Sequence, residues 1–226
     1  HRQKTGNLKD CLKKVAWIQG SAVDVPLGEM ENAVFISNEL PDTFPVHRVK
    51  VVDGILKEAY VTYRDDVFRE EWRAPSSPEV EEYVKKICAL EGIPFPSGLT
   101  VDGAGFEIAV NLDALKWQNN IARSLKKGYI ITIDYSLPDG SFGTYKKFLA
   151  GYKQKGAMIR CPTGPVGEVS DAYQFTGGVD ITADVYFPLL VHEGLRAGLT
   201  AETLLEQDAY FRALGARNVK LDRNII

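Results

Sequence analysis

An amide and a carboxylate adjacent in sequence, Asn38-Glu39, follow five residues suited to a strand, Ala33-Val-Phe-Ile-Ser37. Asp42 and Pro45 come within the next seven positions. Strands of open α/β sheets deliver ligands and chemistry at their carboxyl ends. An Asn-Glu pair there can hold an amino group. The carboxylate stabilises an ammonium or guanidinium through charge-assisted hydrogen bonds, and the amide oxygen orients the nitrogen. The competing use of the pair is a helix start, with Asn38 as N-cap and Glu39 in the first turn. Asp134-Tyr135 closes a second strand-like run, Tyr129–Ile133, and reads either as a ligand-positioning acid or as a structural acceptor. Asp180 and Thr182 come just after Gly177-Gly178 and fit a ligand-facing turn or an Asx-type helix start. Trp117, Tyr145 and Tyr152 are expected to pack, not to bind. Lys146-Lys147 and Glu70-Glu71 are expected on solvated surface.

Other chemistries find little support in this sequence. Cys11, Cys88 and Cys161 are far apart and lack metal spacing, and His1, His47 and His192 form no cluster, so no metal site is expected. The cysteines fit structural thiols in a reducing compartment. A net charge of -3 gives no electrostatic case for nucleic acid. No apolar run approaches the roughly 20 residues that span a bilayer. The opening His1-Arg-Gln-Lys-Thr-Gly6 has no apolar core behind its charges and does not read as a signal peptide. No Gly-x-Ser-x-Gly or Walker loop marks a hydrolase or nucleotide-binding domain.

The elements that must position these residues follow from periodicity. Helical character over Arg2–Leu12 is followed by a short strand, Val15–Ile18, and a buried one, Ala33–Ser37. From Val46 the pattern alternates around Asp53-Gly54, a strong hairpin signal. Pro75-Ser-Ser-Pro78 then opens a helix, Glu79–Leu90. The α/β rhythm resumes with a strand at 105–110. A helix follows over Leu112–Leu125, closed by Lys126-Lys127 and a C-cap Gly128, and then a buried parallel strand, Tyr129–Ile133. The stretch 137–180 is Gly- and Pro-rich with weak periodicity. Asp184–Ala197 reads as a helix with Pro188 in its first turn, Leu199–Leu205 as a strand, and Gln207–Leu214 as a helix closed by Gly215. The division expected is a core part at 1–45, a hairpin-and-helix insertion at 46–104, and a C-terminal core part at 105–226.

At four ordered blocks the chain resembles the MidA-like methyltransferases, the family that includes the mitochondrial complex I assembly factor with arginine methyltransferase activity. Phe35-Ile-Ser-Asn-Glu-Leu-Pro-Asp-Thr-Phe-Pro-Val46 looks like its Asn-Glu-Leu-x-Asp-Ala-x-Pro-Val block. Gly128-Tyr-Ile-Ile-Thr-Ile-Asp-Tyr135 is similar to its strand ending Asp-Tyr-Gly, with Ser136 replacing the glycine. Gly178-Val-Asp-Ile-Thr-Ala-Asp-Val-Tyr-Phe187 and the Gln207–Gly215 ending supply the third and fourth.

The resemblance implies an α/β, Rossmann-like class I methyltransferase fold, partial, with the inserted β-hairpin and helix. It implies S-adenosyl-L-methionine as cofactor and N-methylation of arginine in a partner protein, a respiratory complex I-type subunit. Asn38, Glu39 and Asp42 are then the candidate catalytic residues, and Asp134, Tyr135, Asp180 and Thr182 lie on the substrate side. The family's glycine-rich cofactor loop and ribose-binding acid have no counterpart in this sequence, so cofactor-binding residues stay unknown, and its last strand has none after Ile226. Bacterial cytoplasm and mitochondrial matrix both fit. Exposed sheet edges would favour a homo-oligomer. The alternative is a non-catalytic binding or assembly module that retains the fold.

Overall fold

A computed structural model describes residues 14–24, 27–101, 104–105, 107–136, 159–160, 173, 180–201 and 204–215. The helix expected over residues 2–12, Cys11, Cys161 and most of 137–180 lie outside them.

The edge that carries Asn38-Glu39 is built by two parallel strands. β1 (Met30–Asn38) pairs with β8 (Leu125–Ile133) in the register Phe35↔Ile130 through Asn38↔Ile133. The crossover helix α2 (Leu112–Ser124) covers one face of the pair, with Trp117 and Ile121 packed on Phe35 and Ile130. Its hydrophobic spacing produces that stripe, and Trp117 is a packing residue as expected. The opposite face is open: Val34 and Ile36 are 54% and 70% exposed and Tyr129 is 61%. The second strand is therefore parallel as expected but buried on one side only. Gly128 is not a helix cap, because α2 ends at Ser124 and β8 begins at Leu125. It lies within β8 at φ +148°, where a Cβ would stand 1.8 Å from the Ala33 carbonyl oxygen. The register shifts next to that contact, between Glu31 and Ala33, and Asn32 takes a left-handed φ of 56°.

Between the two strands in sequence lies an antiparallel sheet of four strands. β2 (His47–Val52) and β3 (Ile55–Arg64) join through Asp53-Gly54, both at positive φ, the turn that matches strand twist. A second tight turn, Asp65-Asp66, joins β3 to β4 (Val67–Arg73). The short β5 (Thr100–Val101) and β6 (Ala104–Gly105) pair with each other.

The strand expected to resume the α/β rhythm does something else. β7 (Ile108–Val110) pairs antiparallel with β2, so it completes the hairpin's sheet in the order β4-β3-β2-β7. α1 (Pro78–Leu90) covers one face of that sheet, its Val80, Val84 and Ile87 packing on Val49, Val51, Ile108 and Val110. Each such fully buried side chain stabilises by about 1.5–3 kcal/mol.

The sheet's other face carries charge. Arg48 is held between Glu70 and Glu107, 2.7 Å from the latter, and Lys50 lies 3.9 Å from the Trp72 ring centroid. Burial alone would lower the Arg48 pKa, but the two carboxylates raise it overall. Glu70 is therefore not the solvated residue expected. It also accepts the Tyr173 hydroxyl at 2.8 Å.

Two strand expectations fail. Val15–Ile18 is irregular, with Trp17 89% exposed, and among the described residues of 199–205 none is a strand. Neither segment has a neighbouring strand, among the described residues, to supply its backbone hydrogen bonds. β10 (Thr182–Ala183) pairs with β9 (Ile159–Arg160). α3 (Phe187–Arg196) starts three residues later than predicted, with Pro188 in its first turn, and α4 (Gln207–Ala213) ends before Gly215.

Candidate functional site

The ends of β1 and β8 bring the two sequence-predicted pairs together. Asn38 stands opposite Ile133 in the ladder, and the Glu39 N–H donates to the Ile133 carbonyl at 2.8 Å. Both Asn38 and Glu39 are exposed at the carboxyl edge. Neither caps a helix: the single turn Pro41–Thr43 follows, with Leu40 in the cap position. Glu39 takes a left-handed φ of 48°, a costly backbone for a non-glycine residue and one that concentrates at functional sites. That twist turns the chain out of β1 and sets the Glu39 carboxylate beside the Tyr135 hydroxyl. Burial first, and then the charge of Glu39, raises the Tyr135 pKa.

Asp134 closes the arrangement. One carboxylate oxygen accepts the Asp42 N–H at 3.1 Å and the other accepts the Tyr135 N–H at 2.7 Å. Burial and the Asp42 carboxylate, with a smaller push from Glu39, raise its pKa to about 7, against the two backbone hydrogen bonds that pull it down. Asp42 itself is 2% exposed, so it meets Asp134 from inside, through its N–H and its buried charge.

Two buried polar residues missed in the sequence lie behind this turn, and the first of them holds it. Asn111, buried, accepts the Ala114 N–H at 2.9 Å as N-cap of α2, and its Nδ2 donates to the Pro41 carbonyl at 2.7 Å. Its position just before a helix was the available signal. Ser37, also buried, lies one residue before the pair, and its hydroxyl has no partner among the described residues.

The third predicted pair splits. Thr182, in β10, packs near the Pro41–Thr43 turn, whereas Asp180 is exposed and makes no described contact with the edge. The chain just beyond Thr182 does reach β8: the Val185 N–H donates to the Tyr135 carbonyl at 2.9 Å, and the Ser136 hydroxyl donates to the Val185 carbonyl at 3.1 Å.

No lysine, arginine or histidine forms an ion pair with Glu39 or Asp134 among the described residues. Within those residues an exposed carboxylate, an amide and a buried acid therefore meet on one edge without a cation of their own. Such an edge favours a positively charged ligand group. It disfavours an unpaired carboxylate. Among the described residues of β1 and β8, the strand ends are polar pairs, not the glycine-rich nest that holds a nucleotide.

Two parallel strands, a crossover helix and a polar carboxyl edge define a Rossmann-like α/β protein. The chain belongs to the family described as "Putative S-adenosyl-L-methionine-dependent methyltransferase", which matches residues 2–204. Two similar solved structures share the fold. One is the native crystal structure of an uncharacterized protein from Burkholderia thailandensis, at 22% identity and TM-score 0.56, covering 76% of this chain and 41% of that one. The other, titled a "likely methyl transferase" from the same organism, is bound to S-adenosyl-homocysteine; it has 22% identity and TM-score 0.55, covering 77% of this chain and 40% of that one. The chain thus spans about two fifths of the length of those structures. No curated protein matches it. No helix among the described residues is long and apolar enough to cross a membrane.

Proposed function

We propose that this chain is the acceptor-side part of an S-adenosylmethionine-dependent methyltransferase that methylates a cationic nitrogen, with arginine in a partner protein as the acceptor. The observation that carries the reading is the meeting of Asn38-Glu39 with Asp134-Tyr135 on one parallel-strand edge that has no cation of its own among the described residues. Family membership supports the cofactor, and the acidic edge supports the acceptor. In this reading Glu39 holds the guanidinium by paired hydrogen bonds and disperses its charge, while the Asn38 amide orients the nitrogen. Tyr135 fixes the Glu39 carboxylate by its hydroxyl. Methyl transfer needs in-line approach of nitrogen to carbon, so orientation of the acceptor governs much of the barrier. When bound, the cofactor supplies the methyl group on its sulfonium; its contacts are not assigned to residues of this edge.

By resemblance to the complex I assembly-factor methyltransferases, the partner is a respiratory complex subunit and the compartment the mitochondrial matrix or bacterial cytoplasm. In this reading the hairpin-and-helix segment, 46–104, which follows the Asn38-Glu39 block in sequence, contacts that partner. A second reading is a binding module that keeps the fold without catalysis, favoured by the lack of a cofactor nest among the described strand ends. Calorimetry of the full-length protein with S-adenosylmethionine and S-adenosylhomocysteine separates the two. Binding of either, together with loss of methyl transfer in Glu39→Gln and Asn38→Ala, supports the enzyme. Absence of binding to both overturns it.

A further inference from the structure

We propose that Asp134 is a positioning residue: its carboxyl group locks the Pro41–Thr43 turn onto the end of β8 and thereby fixes the Glu39 carboxylate at the edge. The proposal rests on the reading of Glu39 as the group that meets the acceptor.

A closed circuit of contacts carries it. The chain runs from Glu39 to Asp42, whose N–H reaches Asp134 at 3.1 Å. Asp134 accepts the N–H of Tyr135 at 2.7 Å, and the Tyr135 hydroxyl returns to Glu39. The Glu39 N–H on the Ile133 carbonyl at 2.8 Å braces the middle of the circuit. An isolated glutamate would leave a left-handed backbone readily, because that conformation costs of order 1 kcal/mol or more. Here it is held from both sides, by a strand end and by a turn that the strand end grips. Among the described residues, the Asp134 carboxyl is the side chain that bridges the backbones of the turn and of the β8 end, so its removal opens the circuit.

The groups facing Asp134 are acids or a phenol: Glu39 and Asp42 from the turn and Tyr135 from its own strand end. Asp184, buried, lies on the segment whose Val185 joins Tyr135. A proton retained by Asp134 reduces repulsion within this group. The two N–H bonds themselves favour the ionised carboxylate, so the bonds to the turn strengthen as the proton leaves while repulsion from Glu39 and Asp42 grows.

Amide hydrogen exchange in the whole protein, between pH 5 and 9, tests this without requiring activity. In Asp134→Ala the Asp42 and Glu39 amides should exchange at least about tenfold faster than in the wild type, while amides in α1 keep their protection. Asp134→Asn retains one carbonyl acceptor and should restore part of that protection. It should also remove the inflection near neutral pH from the exchange profile. Methyl transfer by the same variants should show a higher acceptor KM in Asp134→Ala and partial rescue in Asp134→Asn. Unchanged protection of the Asp42 amide in Asp134→Ala overturns the proposal. Loss of Asp42 protection with no methyl transfer even in the wild type supports the clamp and removes only the reading of Glu39.

Discussion

Removing the Asn111 side chain should cost the protein about 2 kcal/mol. Asn111 makes two bonds that no described neighbour can take over. Its Oδ1 accepts the Ala114 N–H, and loss of such a cap to alanine costs about 1 kcal/mol. Its Nδ2 donates to the Pro41 carbonyl in a buried position. A buried carbonyl stripped of its donor costs about 1–3 kcal/mol, but the Phe44 N–H also reaches the Pro41 oxygen at 3.3 Å, which places the cost near the lower end. Asn111→Asp divides the two contributions. A carboxylate keeps the cap and suits a helix N-terminus, but it offers no donor to Pro41 and sets two oxygens against each other. Urea unfolding followed by circular dichroism is the assay. With a slope of about 2–3 kcal/mol/M, the Asn111→Ala midpoint should fall by about 0.7–1 M. A shift below about 0.2 M would refute the reasoning. An Asn111→Asp protein as stable as the wild type would show that the Pro41 bond contributes nothing, and that the turn is held by the β8 side alone.

Other outcomes follow from the same geometry. Asp134 has a folded-state pKa near 7 against an ordinary 3.8, so its proton-linked stability is full below about pH 4 and is lost as pH rises through 7. The distance between those two values corresponds to about 4 kcal/mol, and partial exposure reduces the expected effect to about 2 kcal/mol. Denaturation from pH 4 to 8 should show this decline in the wild type and a flatter profile in Asp134→Asn; parallel profiles would contradict it. Asp42→Asn should lower the Asp134 midpoint seen by carboxyl-carbon NMR, since the Asp42 charge is the second-largest cause of its elevation. Gly128→Ala should cost at least about 3 kcal/mol or prevent folding, because its Cβ would overlap the Ala33 carbonyl at a φ that side chains avoid. A soluble Gly128→Ala variant with an unchanged melting temperature would disprove that contact. Arg48→Ala should destabilise by about 1–2 kcal/mol by leaving Glu70 and Glu107 with Lys50, 3.9 Å from Glu107, in place of their two-sided arginine bridge, measured by thermal unfolding.

Local chemistry was the legible part of this fold. Asp53-Gly54 announced its hairpin because only a few residues accept two left-handed positions in succession. Pro78 and Pro188 marked helix starts because a missing N–H costs nothing in a first turn. The two polar pairs were legible because hydrophobic strands run straight into them.

What the sequence concealed was pairing at a distance. Nothing in Ile108-Ala-Val110 states that it joins β2 instead of the parallel strands, since a short apolar run fits either sheet. Gly128 carried the same ambiguity, for a glycine after two lysines serves a helix end as readily as a close strand approach. Glu70 read as solvated because its partner Arg48 is 22 residues away. At the site, sequence singled out residues that the fold brings together but not how they are arranged. Asp42 sits in the same block as Asn38 and Glu39, yet its side chain is buried, and it acts on Asp134 through its N–H and its charge and not as an exposed group.

The pairing of β1 with β8 also sets an order of events. Asn38 and Ile133 lie about 95 residues apart, and closing so long a flexible loop is entropically unfavourable. The intervening hairpins and α1 form from neighbours in sequence, and once folded they shorten the effective loop to a few connecting residues. The antiparallel unit should therefore be structured in the folding transition state, while the Asn38–Asp134 edge forms afterwards. Substitutions in the Asp53-Gly54 turn should slow folding, and substitutions at the edge should chiefly speed unfolding. Whatever chemistry the edge performs, it should form after the antiparallel unit and be lost before it.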